Sequence, residues 1–432
     1  MKIYTVVVND CATVGAPGGP RQIRTRQTSY GPQNFMLGYD KLAAGLSRAL
    51  TERELDWIES AGHIFAADMA CERDGGDLDW ARSIDLHLPV RDVVYWNALS
   101  KRIAHIVSDF TGDRITISFH QETDPMKAPR QRRGPFGQHD CVALLSGGVD
   151  SFVGAASLLV GGSVPLFLSH TAAGSITHAQ TQVHSALNAL GTVTDRVGLT
   201  AQKRGNFPGS EQSQRTRSFF FLAAATLASS VDGCGPVFIN ENGVMALHLP
   251  LTTARIGSLS THTASPDILE RVEALAGEVL GRDVSISNNL VGLTKPEVVE
   301  LGVQCGLSKA LRETVSCWSI GRTSEHCGVC VPCLIRRISF DSHNVPDSPY
   351  TMDIFGDPDA LTATGARDNL AHMIRHVDHL GGLSELDMQI AFPELLNGGS
   401  ALPLDQAIDL QRRWATQATK ILLSNPVPKS IW

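Results

Sequence analysis

Three observations place the centre of this 432-residue chain in the α/β class, as a parallel, Rossmann-like sheet flanked by helices. Short apolar runs suited to buried strands recur at residues 142–145, 164–169, 237–240 and 284–286. Helical patterns fill the intervals at 151–159, 176–190, 218–229 and 266–280. Such alternation marks strand–helix–strand units, whose crossovers make neighbouring strands parallel. The third observation is Ser146-Gly147-Gly148-Val149-Asp150-Ser151, directly after the first run. A strand ends there, adjacent glycines turn the chain, and a helix begins at Ser151 or Phe152. Backbone N–H groups and a helix dipole then converge on one spot, which is an anion site. Ligands of such sheets sit at the carboxyl ends of strands, so the loops after Leu145, Ser169 and Ile239 should face one cleft.

Residues 1–135 are expected to form an α+β domain. Residues 3–8 read as a strand, and a polar stretch rich in Gly, Arg and Thr follows over 17–34. A helical pattern covers 42–61, and 64–70 reads as another helix. Apolar–polar alternation over 84–90 predicts a strand, then 96–110 a helix and 115–119 a further strand. Residues 126–137, with Lys127, Arg130, Arg132 and Arg133 among prolines and glycines, read as a solvated basic linker. Residues 138–340 hold the sheet domain. Residues 341–432 read as helical, chiefly 366–380 and 404–423, with a surface tail at Pro426, Pro428 and Trp432. No chemistry is visible in this last part, which suits a covering layer or a homodimer contact.

Composition narrows the function classes. Hydrophobic residues make up 43% and charged residues 19%, which excludes a disordered chain. The net charge of −7 argues against a large nucleic-acid surface. The longest apolar run, 219–228, falls short of the roughly 20 residues a membrane helix needs. No signal-peptide pattern follows Met1-Lys2, so a cytoplasmic protein is expected.

The glycine loop is neither of the common nucleotide motifs. A Walker A loop needs a lysine after its glycines, and a dinucleotide fold needs spaced glycines; both are absent here. Ser146 and Ser151 add hydroxyl donors to the amides of Gly147 and Gly148. Asp150 is suited to organise Mg²⁺ around phosphates, or to cap the following helix. A second cluster lies downstream, where Cys317, Cys327, Cys330 and Cys333 follow the spacing C-x9-C-x2-C-x2-C. Four thiolates so spaced suit tetrahedral Zn²⁺, with an iron–sulfur cluster as the rival. Cys11, Cys71, Cys141, Cys234 and Cys305 are scattered and read as free thiols.

The hexapeptide 146–151 resembles the PP-loop of the ATP pyrophosphatase superfamily (adenine nucleotide alpha hydrolase-like fold), whose members split ATP to AMP and pyrophosphate. Thr314-Val315-Ser316-Cys317-Trp318, His326-Cys327-Gly328-Val329-Cys330-Val331-Pro332-Cys333 and Arg336-Arg337 resemble the zinc segment of the 7-cyano-7-deazaguanine synthase family, QueC. Leu293-Thr294-Lys295-Pro296-Glu297 is similar to the lysine-bearing turn that precedes it in that family. The resemblance covers about residues 140–340. Beyond it, Ala66-Ala67-Asp68, Pro89-Val90 and Trp96 resemble the extended QueC-like proteins of bacterial antiphage defence operons, the QatC type.

The resemblance implies an ATP-dependent ligase. A 7-carboxy-7-deazaguanine-like carboxylate would be adenylated with Mg²⁺ and ATP, and the acyl group passed to an amine. In the compact family that amine is ammonia; in the defence relatives it belongs to a partner protein encoded nearby. By position, Ser169 and His170 would hold adenine and ribose, Lys295 would stabilise the α-phosphate, and Arg215 would act in the cleft. Arg217, Glu241, Asn242, Thr261, His262 and Thr263 would bind the substrate. Over 258–266 the sequence departs from the family, which carries an Asp- and Tyr-bearing segment there.

Overall fold

The structure is a computed structural model that describes residues 2–9, 19–27, 31–73, 81–123, 136–171, 174–251, 264–356 and 365–427. The N-terminal part runs β1 (Lys2–Val8), β2 (Arg21–Ile23), β3 (Phe35–Gly38), α1 (Asp40–Gly45), α2 (Glu52–Ala70), β4 (Arg82–Val90), α3 (Val93–Thr111) and β5 (Arg114–Gln121). Four of these strands form a sheet in the order β2-β1-β4-β5, and every pairing in it is parallel. This corrects the expected α+β arrangement. The strand–helix–strand run β4-α3-β5 is itself a crossover unit, and crossovers impose parallel pairing.

The helices expected over 42–61 and 64–70 divide elsewhere: short α1 ends at Gly45, and one long helix covers the rest. Thr51 caps α2 through a reciprocal box with Glu54, so the helix starts at Glu52 and runs unbroken to Ala70. It packs against both sheets and α6 (Arg217–Asp232), and is buried on almost every side. Its buried charges are therefore all paired. Asp56 and Glu59 bind Arg91, and Asp68 binds Arg82 at 2.6 Å. Arg82, with no exposed surface, also binds Asp113 at 2.6 Å and the Asp68 carbonyl at 2.9 Å. It ties the end of α2 to the starts of β4 and β5.

The second sheet is built from β6 (Cys141–Leu144), α4 (Val149–Val160), β7 (Pro165–His170), α5 (Gly174–Asn188), β8 (Arg196–Lys203), α6, β9 (Val237–Phe238), α7 (Gly243–Leu247), α8 (Pro266–Leu280), β10 (Ile286–Ser287) and α9 (Lys295–Gln304). Its order is β10-β9-β6-β7-β8-β3. All pairings are parallel except the edge strand β3, which comes from the N-terminal part and runs antiparallel to β8. One apolar core accordingly contains Phe35, Ile58 and Phe65 together with Val142, Leu199 and Phe220. The four expected strands are present. β8 was not anticipated, because Val197, Leu199 and Ala201 alternate with glycine and polar residues rather than forming an apolar run. Chain order reverses between β6 and β9, so the crevice beyond their carboxyl ends is the place where such sheets hold ligands.

The chain closes with α10 (Ile320–Thr323), α11 (Val331–Asp341), α12 (Ala366–Gly382), α13 (Glu385–Ala391) and α14 (Leu404–Ser424). α12 and α14 pack on each other around Met373, Leu370 and Trp414, and α14 reaches α7 and α9. The expected surface tail at Pro428 and Trp432 lies outside the described residues, as does most of the basic linker.

Replacing Arg82 by Met is expected to destabilise the fold by about 3–5 kcal/mol, because Asp68 and Asp113 would keep buried charge with a partner removed. Chemical denaturation measures this, and a loss under about 1 kcal/mol would contradict the role given to Arg82.

Candidate nucleotide site and cysteine centre

The loop after β6 is shaped by two local demands. Gly147 takes φ +88°, and a Cβ there would stand 3.2 Å from the Gln180 side chain, so a glycine meets both requirements. Gly148 is the N-cap of α4 and offers no capping side chain. The amides of the helix's first turn have no helical carbonyl to bond, which leaves them to an anion. Ser146 Oγ accepts from Gly148 N at 3.3 Å and lies 3.0 Å from Ser151 Oγ, which donates to Gly148 O at 3.1 Å. Gln180 donates to His170 O at 3.0 Å and Ser146 O at 3.4 Å, tying the loop to the end of β7. Ser169 also serves the backbone, with Oγ donating to Leu145 O at 2.8 Å.

Asp150 is the hub of the crevice. Its Oδ2 accepts from Lys295 Nζ at 2.7 Å and from Asn242 Nδ2 at 3.0 Å. Its Oδ1 is buried and has no hydrogen-bond partner among the described residues. An orphaned carboxylate oxygen beside a phosphate-type loop fits a hard cation such as Mg²⁺. Burial would raise the Asp150 pKa, but the Lys295 charge and hydrogen bonds from Glu241, Lys295 and Asn242 hold it below the ordinary value. Glu241 shows the converse: burial and the neighbouring Asp150 charge push it well above the usual carboxylate range. Of this acidic pair, the surroundings favour the ionised form of Asp150 and disfavour that of Glu241. Asn242, fully buried, caps α7 by accepting from Met245 N at 3.2 Å while its amide holds Asp150.

The structure brings Ser146, Gly147, Gly148, Asp150, Ser151, Glu241, Asn242 and Lys295 together at the switch point. Other candidates lie differently. Arg215 is buried and donates to Thr111 O at 2.8 Å. Burial and the charge of Arg73 lower its pKa to about 10, within the Arg82–Asp113–Asp68 network. Its guanidinium is thus engaged with the N-terminal sheet rather than poised as a clamp. His170 ends β7 with its ring edge-on to Phe65 and Phe221. Burial and nearby Arg217 lower its pKa to about 4, so the ring is neutral at pH 7. Arg217 is exposed at the start of α6. Thr261, His262 and Thr263 lie outside the described residues.

Several residues that position the site were missed in the sequence. Gly154 of α4 would place a Cβ 2.2 Å from Asn240, so its absence lets Asn240 pack flat beneath the crevice. Lys295 opens α9, which is capped by the Thr294–Glu297 box. That box is gripped by α14: Arg413 binds Glu297 and donates to Gly292 O at 2.9 Å, and Gln417 meets Thr294 Oγ1 at 2.6 Å. No local pattern could have linked α14 to Lys295.

The four cysteine sulfurs lie within 4.8 Å of one another. Cys327 Sγ is 3.9 Å from Cys333 Sγ, and Cys330 Sγ is 4.0 Å from Cys317 Sγ. Sulfurs bound to one zinc at about 2.3 Å in a tetrahedron stand about 3.8 Å apart, whereas a disulfide requires about 2.05 Å. Backbone amides of Ser319 and Cys327 point at Cys317 Sγ, at 3.3 and 3.4 Å, as thiolate ligands require. His326 is not a fifth donor. Its Nε2 accepts from Ser316 N at 3.1 Å, and Nδ1 meets Ser348 Oγ at 3.0 Å. Arg336, fully buried, pairs with Asp347 at 2.6 Å and donates to Thr314 O at 3.1 Å and Thr314 Oγ1 at 2.8 Å. The segment so fixed reaches the glycine loop, where Val315 N donates to Gly147 O at 2.9 Å.

The family model described as "Queuosine biosynthesis protein QueC" matches residues 264–344, which contain α8, Lys295 and the four cysteines. The chain is similar to the 7-cyano-7-deazaguanine synthase of Ralstonia pickettii, at 33% identity over 86 residues, covering 20% of this chain and 37% of that protein. It is likewise similar to the 7-cyano-7-deazaguanine synthases of Nitrosospira multiformis (28% over 136 residues) and Hydrogenovibrio crunogenus (28% over 131 residues), each covering 30% of this chain and 53% of the relative. The chain therefore spans between about a third and about half of the length of the curated relatives it matches. These similarities support kinship with the QueC family over a stretch that includes Lys295 and the cysteines. Among the described residues, no helix is long and apolar enough to cross a membrane.

Two predictions follow from the cysteine segment. Purified protein should carry about one zinc per chain, and Cys330→Ser should lose the metal and much of its solubility; metal analysis showing iron, with a visible absorption band, would overturn this. The second concerns acid stability. Burial alone would raise Asp347, but the Arg336 charge and hydrogen bonds from Arg336, Tyr350 and Ser348 hold it below its ordinary 3.8. A lowered folded-state pKa contributes stability that is present above the unfolded value and lost as pH falls through the folded one. Asp347→Asn should therefore be less stable than wild type at pH 7, with the gap narrowing below about pH 4. A gap that stayed constant down to pH 2.5 would contradict the pairing.

Proposed function

We propose that this chain is an ATP-dependent ligase of the QueC type that adenylates a 7-deazaguanine carboxylate and passes the acyl group to an amine. The observation that carries the proposal is the Lys295–Asp150 pair at the switch point, 2.7 Å long and set beneath the first turn of α4. In this reading a substrate carboxylate oxygen attacks the α-phosphorus of ATP. The new O–P bond forms as the bond to the bridging β-phosphate oxygen breaks, and pyrophosphate leaves. The amine nitrogen then attacks the acyl carbon, loses a proton, and AMP departs.

Each residue has a task in that sequence. The amides of Gly147, Gly148 and the first turn of α4, with the Ser146 and Ser151 hydroxyls, receive the leaving pyrophosphate. Lys295 stabilises charge gathering at the α-phosphate. Asp150 orients Lys295 and, through its orphaned oxygen, is the ligand for Mg²⁺; that ion supplies further positive charge at the phosphates when bound. Ser169 and His170 close the end of β7, where adenine and ribose would lie. Arg217, at the start of α6, would meet an incoming carboxylate. Glu241 would contact the substrate, and Thr261, His262 and Thr263 would belong to the substrate loop. The cysteines hold zinc as a closed four-ligand structural site with no open position for chemistry. Arg215 takes no step.

The acceptor in this proposal is an amine of a partner protein within an antiphage defence system. The resemblance of Ala66-Ala67-Asp68, Pro89-Val90 and Trp96 to the extended defence proteins supports it. So does the presence of a whole parallel sheet outside the stretch matched by the QueC model.

Mass spectrometry tests both halves. Purified protein is incubated with ATP, Mg²⁺ and 7-carboxy-7-deazaguanine, together with ammonia or the protein encoded beside it. The partner should gain the mass of the deazaguanine acyl group. A free amide or nitrile beside an unmodified partner would return the chain to 7-cyano-7-deazaguanine synthesis with ammonia as acceptor. Absence of pyrophosphate would sink adenylation itself. Asp150→Ala should lower pyrophosphate release by about a hundredfold or more in a protein that remains folded.

A further inference from the structure

The N-terminal sheet turns a polar face away from the core. Ile84, Leu86 and Ile115 enter the apolar core beside α2 and α3. Strand residues alternate between faces, so Asp85 and His87 of β4, with Thr116 and Ser118 of β5, stand on the opposite side. All four keep exposed surface. An all-parallel sheet is ordinarily covered and apolar on both faces, and aspartate is depleted in strands. A carboxylate and an imidazole in the middle of a central strand are therefore not explained by the needs of the fold.

The four side chains form one connected unit. Asp85 stands opposite Thr116, and His87 opposite Ser118, in direct cross-strand register. His87 Nε2 lies 3.0 Å from Asp85 Oδ2, and His87 Nδ1 lies 2.8 Å from Ser118 Oγ. Thr116 Oγ1 donates to the other carboxylate oxygen, Asp85 Oδ1, at 2.8 Å. These contacts set the direction of each proton. A carboxylate only accepts, so Nε2 carries the ring hydrogen and Nδ1 presents its lone pair to Ser118. The Ser118 hydroxyl thus donates to a base that is itself held by a carboxylate. The other acceptor near it, Leu86 O, stands farther away at 3.5 Å. Side chains 26% exposed at His87 and 46% exposed at Asp85 leave the unit within reach of a bound molecule.

We infer that Ser118, His87 and Asp85 form a second reactive centre, a serine nucleophile for carboxylic esters, separate from the nucleotide crevice. The roles are nucleophile, general base and orienting carboxylate, as in a serine triad with the two ring nitrogens exchanged. In the first step Ser118 Oγ bonds to the acyl carbon and its proton passes to His87 Nδ1. The bond to the leaving oxygen breaks, and that oxygen takes the proton from His87. Water then attacks the acyl-serine through the same base, the acyl bond to Ser118 breaks, and the serine recovers its proton. Ester and water become acid and alcohol, with no oxidant or further reactant. The centre stands on a sheet face open to solvent, which suits an ester presented by a larger molecule. It does not rest on the adenylation reading.

A fluorophosphonate tests this on the full-length protein without ATP. Attack by a serine of this kind expels fluoride and leaves a phosphonyl-serine, which peptide mass spectrometry should place on Ser118. The protein should also hydrolyse 4-nitrophenyl acetate, and Ser118→Ala should lose both the adduct and the hydrolysis. His87→Gln, which removes the base, should slow formation of the adduct about a hundredfold, and Asp85→Asn about tenfold or more. All three side chains lie on the solvent side of the sheet, so the unfolding transitions of the variants should match that of wild type. An adduct missing from Ser118 in wild type overturns the inference with no variant needed. So does an adduct on Ser118 that forms as fast in His87→Gln as in wild type. Pyrophosphate release takes no part in either readout, so its failure would refute adenylation and leave this centre standing.

Discussion

Lys295 and Asp150 form the contact on which the candidate site depends. Both are almost withdrawn from water, with side chains 12% and 6% exposed. A buried ion pair holds only when further hydrogen bonds compensate for its lost hydration, and the surroundings are arranged to that end. Asn242 donates to Asp150, and burial beside Asp150 disfavours a second negative charge on Glu241. Lys295 stands in the first turn of α9, where a cation opposes the helix dipole at a cost of about 0.3–1 kcal/mol. Helix stability alone would place an acid there. The position therefore makes sense as a charge held for use, with Asp150 balancing it in the meantime.

The cysteine centre contributes through backbone rather than through chemistry. Its first cysteine, Cys317, follows Val315 by two residues, and the Val315 amide fixes the Gly147 carbonyl. Arg336 holds the same segment from below through Thr314 and Asp347. The left-handed turn at Gly147 is thus pinned from both sides, by Gln180 and by the cysteine segment. The four-cysteine cluster, which could hold a metal ion, is thereby tied through backbone to the glycine loop.

What was legible in the sequence was what is local. The glycine loop, the four cysteines and α8 each carry their signal within a short window, and α8 runs over the expected residues 266–280. Asp150 and Lys295 were recognisable as candidates through the family resemblance, but their pairing across the crevice was not. The rest escaped for physical reasons. β3 is a four-residue strand whose partner lies far along the chain in β8. Arg215 stands at the entrance of α6 as a cleft arginine would, yet the neighbouring carboxylates and the Thr111 carbonyl draw it inward. Arg413 lies on a helix with ordinary amphipathic spacing, where nothing marks it as a clamp.

These long-range contacts change the standing of the two flanking parts. Residues 1–135 and 341–432 could be read as additions to a compact domain, but the domain's sheet ends in β3, and α2 fills the space between the sheets. Covering the edge of β8 with an antiparallel strand removes an exposed row of hydrogen-bonding groups. On the opposite side, α14 grips the turn that carries Lys295, and Gly243 can approach Val291 and Leu410 only because it lacks a Cβ. The charges suited to nucleotide chemistry lie in the β6 loop and in α9. Groups of α14 hold the turn that carries Lys295, so the C-terminal part is a component of the site, while the N-terminal part completes the edge of the sheet that carries it.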